Sequence, residues 1–302
     1  MKKLLKVLFI SFVLLCAAAG LQYWSSPARL VDIITTLGGG NNGINWSVKT
    51  QSYGALARQK LDIWTNPADK VEPANPKKPV LVFFYGGGWN KGSRRDYGFV
   101  AKAYSEKGFL VVLPDYRLVP EVRFPGFVAD SALAIKWVQA NIARYGGDPD
   151  RIVVAGHSAG AYNALMVALD PQWLGDKPVR AAVSLAGPAD FYPFDKPSSI
   201  AAMGQAPNPL ATQPVHFVRK DAPPILLMHG SSDSVVRIRN AESLFAKQRA
   251  VGGDIQLRRF PGSSHNDLIL AVAHNFHWYL PVLDESAAFL LEHSKVRARV
   301  GS

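Results

Sequence analysis

The sequence predicts an α/β fold in which a mostly parallel central sheet carries helices on both faces. Three observations lead to this prediction. Short, continuous apolar runs alternate with helical patterns along most of the chain, as is typical of strands buried on both faces. One such run passes through a sharp Gly-x-Ser-x-Gly turn into a helical pattern at residues 152–169. Hydrophobic residues make up 48% of the chain and charged residues 19%, as in globular proteins with a large core.

Residues 1–19 differ in composition from the rest of the chain. Lysines precede an apolar run over residues 7–15, and alanines follow it up to Ala19, which is the pattern of an export signal cleaved after Ala19. If the segment is not cleaved, the 18 uncharged residues 7–24 predict a membrane anchor instead. In both cases we expect the bulk of the chain outside the cytoplasm, either exported to the periplasm or anchored in the membrane.

The only cysteine, Cys16, falls inside this segment, so the exported part of the chain is expected to hold no disulfide. Lipidation of Cys16 is the least favoured alternative, because the bulky Leu15 precedes it. Residues 20–47 predict an N-terminal arm that is helical over 30–37. Residues 48–302 predict a single α/β domain that carries the functional site.

The formal net charge is +11, but the basic residues are spread along the chain. The clusters at Arg94-Arg95, at Arg258-Arg259 and at residues 295–299 belong to no nucleic-acid-binding motif. We therefore expect no nucleic acid partner. A retained N-terminal segment would associate the protein with a membrane. The spread basic residues are interpreted as solvated surface charge, with a mild attraction to anionic lipid or polysaccharide as the less favoured alternative.

Seven strand patterns and five main helical patterns follow one another after residue 50. The strands are predicted at residues 57–64, 80–85, 110–114, 152–155, 181–185, 225–228 and 255–260. The helices are predicted at residues 97–107, 128–145, 159–169, 241–251 and 281–293. Because ligands of parallel α/β sheets bind at the carboxyl ends of the strands, we expect the functional site there.

Ser158 stands at the apex of the Gly-x-Ser-x-Gly turn, between a predicted strand and a predicted helix. This layout is typical of a nucleophilic serine, because the sharp turn exposes the hydroxyl at the end of the sheet. Gly156 and Gly160 fit the turn, since strand and helix approach each other too closely there for a Cβ atom.

A serine hydroxyl is a poor nucleophile and needs a base, which in turn needs an acid to orient it. His265 follows the last predicted strand and is the predicted base among seven histidines. Asp233 follows the strand before it and is the predicted acid, and the chain order Ser158, Asp233, His265 fits such a triad. Asp190 and Asp195 also follow a strand and stay open as alternative acids.

The strand pattern at 80–85 runs directly into three glycines. Negative charge develops on a carbonyl oxygen during acyl transfer and is stabilised by backbone N–H groups aimed at it. Glycines allow the backbone to approach that oxygen closely. Gly87 and Gly88, with the N–H of Ala159, are therefore the predicted oxyanion donors.

Residues 186–222 connect two predicted strands and carry aromatic residues among prolines. The pattern predicts a short lid insertion or a wall of the substrate pocket. Trp89, Phe191 and Tyr192 are the predicted substrate-binding residues. Simple packing of these rings is an equal alternative.

Five motifs occur in a characteristic order: the Tyr85–Trp89 glycine loop, Asp115-Tyr-Arg-Leu118, Gly156–Gly160, the Asp233 turn and the His265 loop. With these motifs the chain resembles α/β-hydrolase esterases over about residues 50–293. It is similar to hormone-sensitive-lipase-like carboxylesterases and to bacterial feruloyl-esterase-like (BD-FAE) proteins. The resemblance implies the α/β-hydrolase fold and the same triad and oxyanion donors.

The chain departs from this pattern at two positions. Tyr85 stands where the family's glycine loop usually begins with histidine, which leaves open how the loop is anchored. His157 precedes the serine where hormone-sensitive-lipase-like members often have aspartate, so the feruloyl-esterase-like branch is the more similar one. Asp115 and Arg117 are expected to hold the core by pairing, and Asp130 is also interpreted as structural.

The sequence thus predicts a serine carboxylic-ester hydrolase that acts through an acyl-enzyme on short-chain or aryl esters. The expected partner is a small-molecule ester, and no cofactor and no metal are expected. Two alternatives stay open. The same triad could hydrolyse an aryl formamide or an amide, or the protein could be a non-catalytic, anchored α/β-hydrolase that only binds.

Overall fold

The computed structural model describes residues 27–37, 47–65 and 77–295. The predicted export signal or anchor at residues 1–19 lies outside the described residues. Within those three ranges, no helix is both long enough and apolar enough to cross a membrane.

The described strands form one eight-stranded sheet. They are β1 (Ser47–Ser52), β2 (Lys60–Thr65), β3 (Lys78–Phe84), β4 (Leu110–Pro114), β5 (Gly147–His157), β6 (Ala182–Leu185), β7 (Ile225–Gly230) and β8 (Ile255–Phe260). Their order across the sheet is β1-β2-β4-β3-β5-β6-β7-β8. Strands β3 to β8 run parallel to one another. At one edge of the sheet, β2 runs antiparallel to both of its neighbours, β4 and β1.

Eight α-helices are described. They are α1 (Pro27–Leu37), α2 (Gly98–Glu106), α3 (Gly126–Asn141), α4 (Ala159–Leu169), α5 (Pro197–Met203), α6 (Arg239–Ala250), α7 (Asp267–Leu270) and α8 (Val282–Ser294). Short 3-10 turns lie at Arg94–Tyr97, Ile142–Tyr145, Pro209–Thr212 and Pro214–His216. Helix α2 packs with α8, and α3 packs with α4, which covers the two faces of the sheet. The predicted mostly parallel α/β architecture is confirmed.

Strands β1 and β5 differ most from the prediction. Strand β1 was not predicted, because its sequence Ser-Val-Lys-Thr-Gln-Ser has no apolar face and most of its residues are exposed. It is an edge strand that pairs only with β2, and such a strand needs little apolar sequence. Strand β5 begins at Gly147, well before the predicted range 152–155. The prediction missed the start of this strand because most of its first residues are polar.

The core buries the central strands and fixes where the loops at their carboxyl ends emerge. All residues of β4, β6 and β7 are buried, and so are the last six residues of β3 and of β5. The glycine loop follows β3, Ser158 follows β5, Asp233 follows β7 and His265 follows β8. Because these strands are parallel, the four loops meet at one edge of the sheet.

Candidate active site

Ser158 forms the turn between β5 and α4. Its backbone angles, φ 55° and ψ −123°, are strained for a residue with a side chain. Two backbone hydrogen bonds hold the turn: the Ser158 N–H donates to the Leu185 carbonyl (2.9 Å), and the Tyr162 N–H donates to the Ser158 carbonyl (3.1 Å). The surrounding structure therefore fixes the strained turn, and Ser158 remains partly exposed.

The two glycines of the turn allow the close approach of strand and helix. A Cβ atom on Gly160 would lie 2.1 Å from the Phe84 carbonyl oxygen, and one on Gly156 would lie 2.4 Å from the Gly160 backbone. Both distances are far shorter than a van der Waals contact. Helix α4 can begin against β3 and β5 only because neither position has a side chain.

His265 and Asp233 form a hydrogen-bonded pair on neighbouring loops. His265 Nδ1 lies 2.7 Å from Asp233 Oδ2. The carboxylate can only accept this bond, so Nδ1 carries the proton and Nε2 of the neutral ring is free to act as a base. The chain therefore holds His265 in the tautomer that a general base needs.

Four donors surround the Asp233 carboxylate. Oδ1 accepts from the backbone N–H groups of Val235 (2.9 Å) and Val236 (2.8 Å). Oδ2 accepts from His265 and lies 3.4 Å from His229 Nε2. Burial raises the pKa of Asp233, but hydrogen bonds from His229, His265 and the Val236 N–H outweigh it and hold the pKa well below its usual range. Asp233 therefore stays ionised although its side chain is fully buried.

His157 packs against His265 from the other side. Their ring centroids lie 4.8 Å apart, and His157 Nε2 lies 3.2 Å from the His265 carbonyl oxygen. Burial, followed by the neighbouring His265, lowers the pKa of His157 to about 3. The neutral ring thus donates its Nε2–H to the His265 carbonyl, while Nδ1 is buried and has no hydrogen-bond partner among the described residues. His157 therefore helps to fix the backbone of the predicted base.

Sequence reasoning missed the contacts of His157 and His229 with the His265–Asp233 pair. His229 Nε2 lies 2.7 Å from the Val236 carbonyl oxygen and holds the loop that carries Asp233. One sequence signal could have revealed both contacts. Each histidine lies at the carboxyl end of a parallel strand, β5 or β7, where the functional loops meet.

Ser158 and His265 line the same cavity. Within the described residues, the Ser158 hydroxyl makes no hydrogen bond to a side chain. Bonds between nucleophile and base are often long without substrate and close when it binds. The structure thus brings the three predicted triad residues to one site and joins two of them directly.

Three backbone N–H groups near Ser158 have no acceptor among the described residues. They belong to Gly87, Gly88 and Ala159. Ala159 is the first residue of α4, so its N–H has no partner within the helix. Gly87 (φ 129°) and Gly88 (φ 59°) adopt backbone angles that favour glycine. These groups are available to an oxyanion at Ser158.

Tyr85 anchors the glycine loop through a network of phenol and guanidinium groups. The Arg58 guanidinium donates to the Tyr85 hydroxyl (2.8 Å) and to the Gly92 carbonyl (2.9 Å). The Tyr116 hydroxyl donates to the Tyr85 carbonyl (2.7 Å), and the two rings stack with centroids 4.5 Å apart. The Gly86 N–H donates to the Tyr97 hydroxyl (3.1 Å). This network shows how the glycine loop is anchored with tyrosine at position 85.

The expected ion pair between Asp115 and Arg117 does not form, because each of the two residues pairs with another one. The Asp115 carboxylate instead forms an ion pair with Arg94 and accepts the Arg94 backbone N–H (2.8 Å). Arg117 pairs with Asp130, with Nε 2.9 Å from Oδ2 and Nη2 3.0 Å from Oδ1.

Two cavities open at Ser158. The first, of about 130 Å³, is lined by Trp89 and Phe191 and is called the Trp89 cavity below. The second, of about 390 Å³, is lined by His265 and Asn266 and is called the His265 cavity. The scissile bond of a substrate at Ser158 would therefore have space on both sides.

The predicted pocket aromatics separate into two groups. Trp89 is 3% exposed, stacks on Phe191 with ring centroids 6.2 Å apart and lies 3.3 Å from Asn163 Oδ1 through its Nε1. Trp89 and Phe191 thus both pack in the core and line the cavity. Tyr192 is 47% exposed, packs edge-on against Phe194 and lines neither cavity. The structure does not bring Tyr192 to Ser158.

The alternative acids lie away from His265. The Asp190 carboxylate accepts a hydrogen bond from the Ser243 hydroxyl. Asp195 lies at the rim of the Trp89 cavity. In the described part of the chain, no group of three or more His, Cys, Asp or Glu side chains could hold a metal ion.

Comparisons with known proteins place this fold in a class. A truncated carbohydrate esterase from gut microbiota superposes with a TM-score of 0.70 at 21% identity, covering 83% of this chain and 98% of that one. Thermogutta terrifontis esterase 2 phosphorylated by paraoxon superposes with a TM-score of 0.68 at 25% identity, covering 81% and 94%. With its parallel sheet and its serine at the strand-turn-helix, the protein has the α/β-hydrolase fold.

Sequence comparison gives the family. The family model described as BD-FAE matches residues 61–248, so the chain belongs to the BD-FAE family, and the resemblance inferred from the motifs is confirmed. Esterase LipC of Mycobacterium tuberculosis is 31% identical over 237 residues, which cover 70% of this chain and 58% of LipC. The chain thus spans less than two thirds of the length of this relative.

Proposed function

We propose that the protein is a serine carboxylic-ester hydrolase. The observation that carries the proposal is the His265–Asp233 pair beside a strained Ser158, with three unpaired backbone N–H groups next to the serine. Acyl transfer requires a nucleophile, an oriented base and a preformed oxyanion site. The names of LipC and of the two solved structures, all esterases, support the same reaction class.

In the proposed first step, Ser158 Oγ attacks the ester carbonyl carbon while His265 Nε2 takes the hydroxyl proton. Asp233 stabilises the imidazolium that forms, and its low pKa keeps it ionised throughout. The carbonyl oxygen becomes negative and accepts hydrogen bonds from the backbone N–H groups of Gly87, Gly88 and Ala159. When the intermediate collapses, the alcohol leaves with the proton from His265, and the acyl group remains on Ser158.

In the second step, a water molecule gives a proton to His265 Nε2 and attacks the acyl carbonyl carbon. The resulting intermediate expels Ser158, which recovers its proton from His265, and the carboxylic acid is released. The same base and the same three N–H groups serve both steps, so the reaction balances without a cofactor.

The two cavities suggest how the ester is oriented. The leaving alcohol must receive its proton from His265 Nε2, so it belongs in the His265 cavity, which His265 and Asn266 line. The acyl group then enters the Trp89 cavity. This cavity, of about 130 Å³, is close to the roughly 150 Å³ apolar cavity that holds a benzene molecule. Its size supports short-chain or aryl acyl groups.

The decisive experiment compares Ser158→Ala with a matched control. Ser105→Ala is suitable, because the Ser105 hydroxyl is buried without a hydrogen-bond partner and lines neither cavity. We expect Ser158→Ala to lose hydrolysis of p-nitrophenyl acetate and labelling by a fluorophosphonate, while the control keeps both. Labelling of Ser158→Ala at the wild-type rate, or no labelling of the wild type, would contradict the proposal.

We also propose that residues 1–19 export the protein or anchor it in the membrane, as their lysines and apolar run support. Cell fractionation with an antibody against the folded domain tests this proposal. An export signal gives a shortened protein in the periplasm, and an anchor gives the full-length protein in the membrane fraction. Full-length protein in the cytosol would contradict both.

A further inference from the structure

Three basic side chains line the rim of the Trp89 cavity. They belong to Lys196, Arg237 and Arg239, and the only carboxylate in the same lining is Asp195. All four residues are exposed. In the described part of the chain, none of the three cations lies within ion-pair distance of a carboxylate. Among the described residues, the rim therefore presents a net positive charge.

Helix α6 adds to this positive potential. Its first residue is Arg239, so the amino-terminal end of the 12-residue helix lies at the cavity. The backbone dipoles give this end of a helix a partial positive charge. Glu242 in the first turn would oppose it, but its carboxylate pairs with Arg259 (3.1 Å).

The start of α6 is also held in place. The Asn240 side-chain oxygen accepts the N–H groups of Ala189 (3.0 Å) and Asp190 (2.9 Å). The Asn240 side-chain nitrogen donates to the Arg237 carbonyl (3.0 Å). These bonds fix the backbone between Arg237 and Arg239, so the two guanidinium groups extend from a rigid segment.

We propose that the Trp89 cavity selects esters whose acyl group ends in an anion, such as monoesters of dicarboxylic acids. The inference rests on the proposed ester hydrolysis at Ser158. In this arrangement Trp89 and Phe191 contact the methylene chain, and the terminal carboxylate reaches the cations of Arg237 and Arg239. Guanidinium groups bind carboxylates with paired hydrogen bonds, so an acyl chain that ends in a carboxylate binds more tightly than one with a neutral end.

The acyl side is favoured over the alcohol side because the charges are unequally distributed. Among the described residues, Lys91 is the only Lys or Arg that lines the His265 cavity. An anionic alcohol would therefore meet one of these described cations, whereas an anionic acyl group meets three.

The test compares ethyl hydrogen adipate with ethyl hexanoate, two ethyl esters with six-carbon acyl chains that differ in the terminal carboxylate. Ethanol release gives kcat/KM for each. We expect the wild type to prefer the adipate ester, and this preference to fall at 0.5 M NaCl because salt screens exposed charges. Arg237→Gln and Arg239→Gln should each reduce the preference roughly two- to fivefold, as for exposed ion pairs.

Arg249→Gln is the matched control, since Arg249 lies exposed in the last turn of the same helix and lines neither cavity. It should leave the preference unchanged. Equal rates for the two esters, with no effect of Arg237→Gln or Arg239→Gln, would overturn the inference while ester hydrolysis stands. A larger preference for an acetate ester of glycolic acid over ethyl acetate would place the anion on the alcohol side and also overturn it.

A binding measurement separates this inference from the proposed function. Calorimetric titration of Ser158→Ala with ethyl hydrogen adipate needs no catalysis. Tighter binding than for ethyl hexanoate, lost in the Arg237→Gln and Arg239→Gln backgrounds, supports the anion site even if neither ester is hydrolysed. Equal binding of the two esters refutes it.

Discussion

His265 Nδ1 lies 2.7 Å from Asp233 Oδ2, although the two residues are 32 positions apart in the chain. The pair forms because β7 and β8 are parallel neighbours, so the loops after them emerge side by side. The hydrogen bond decides which ring nitrogen of His265 is protonated. It therefore links the sheet topology directly to the proposed chemistry.

Asp233→Asn should lower kcat/KM by a factor on the order of 10⁴, because an amide donor in place of the carboxylate favours the wrong histidine tautomer. The KM should change little, since Asp233 lines neither cavity. Asp190→Asn is the matched control and should keep activity, because Asp190 bonds to Ser243 and not to a histidine. Initial rates with p-nitrophenyl acetate measure both, and an active Asp233→Asn enzyme would exclude Asp233 as the acid.

His157 should make the protein less stable as the pH falls. Its pKa is about 3 in the folded protein because of burial, against ~6.5 for an ordinary histidine. Between these values the unfolded chain binds a proton that the folded chain does not. The free energy of unfolding therefore falls with pH from about 6.5 downwards, by up to ~1.4 kcal/mol per pH unit for this one proton.

The variant that tests this slope is His157→Gln, which keeps a donor for the His265 carbonyl but does not titrate. Urea unfolding at pH 6.5, 5.5 and 4.5 should show a shallower slope than the wild type. The low pKa of Asp233 adds a pH dependence only below about pH 4. His216→Gln, at an exposed histidine, should keep the wild-type slope. Equal slopes for all three proteins would contradict the buried neutral state of His157.

Tyr85→Phe should destabilise the protein by about 1–3 kcal/mol, because it leaves a donor of the Arg58 guanidinium without its acceptor. Activity should fall as well, since the glycine loop loses an anchor. Tyr192→Phe makes the same chemical change at an exposed position and should have almost no effect on stability. Chemical denaturation of the two variants gives the comparison, and similar stabilities would argue against the anchoring role.

Gly160→Ala should prevent correct folding or destabilise the protein by more than about 3 kcal/mol, because the new Cβ would meet the Phe84 carbonyl at 2.1 Å. Gly108→Ala is the comparison. Its φ of 99° is unfavourable for alanine, but its Cβ would meet no atom within 4 Å, so the cost should be about 1–2 kcal/mol. Soluble yield and thermal unfolding distinguish the two. Equal losses would mean that the contact with the Phe84 carbonyl does not explain the glycine at 160.

The sequence predicts the features that follow from a local pattern. Seven strands contain apolar runs, and the turn at Ser158 contains two flanking glycines. Both features can therefore be predicted without tertiary information. Strand β1 has no apolar face because an edge strand is held by backbone pairing, and it was missed. Helix α5, which begins at Pro197 inside the predicted lid, has only seven residues and too little periodicity to be recognised.

The partners of charged and polar side chains depend on tertiary packing and could not be predicted. Asp115 pairs with Arg94 and not with Arg117, because the Arg94 backbone also reaches the Asp115 carboxylate. The contact between His157 and the His265 carbonyl joins residues 108 positions apart. Such contacts have no signature in a single sequence, even where the residue types suggest a role.

Arg58 lies just before β2, near one edge of the sheet, whereas His265 follows β8 at the opposite edge. Neither residue falls within 61–248, the range that the family model matches. The Arg58 guanidinium supports the glycine loop. His265 lines the same cavity as Ser158, which follows the central strand β5. The proposed chemistry at Ser158 thus depends on residues from both edges of the sheet. A fragment trimmed to the matched range would keep the nucleophile and lose both supports.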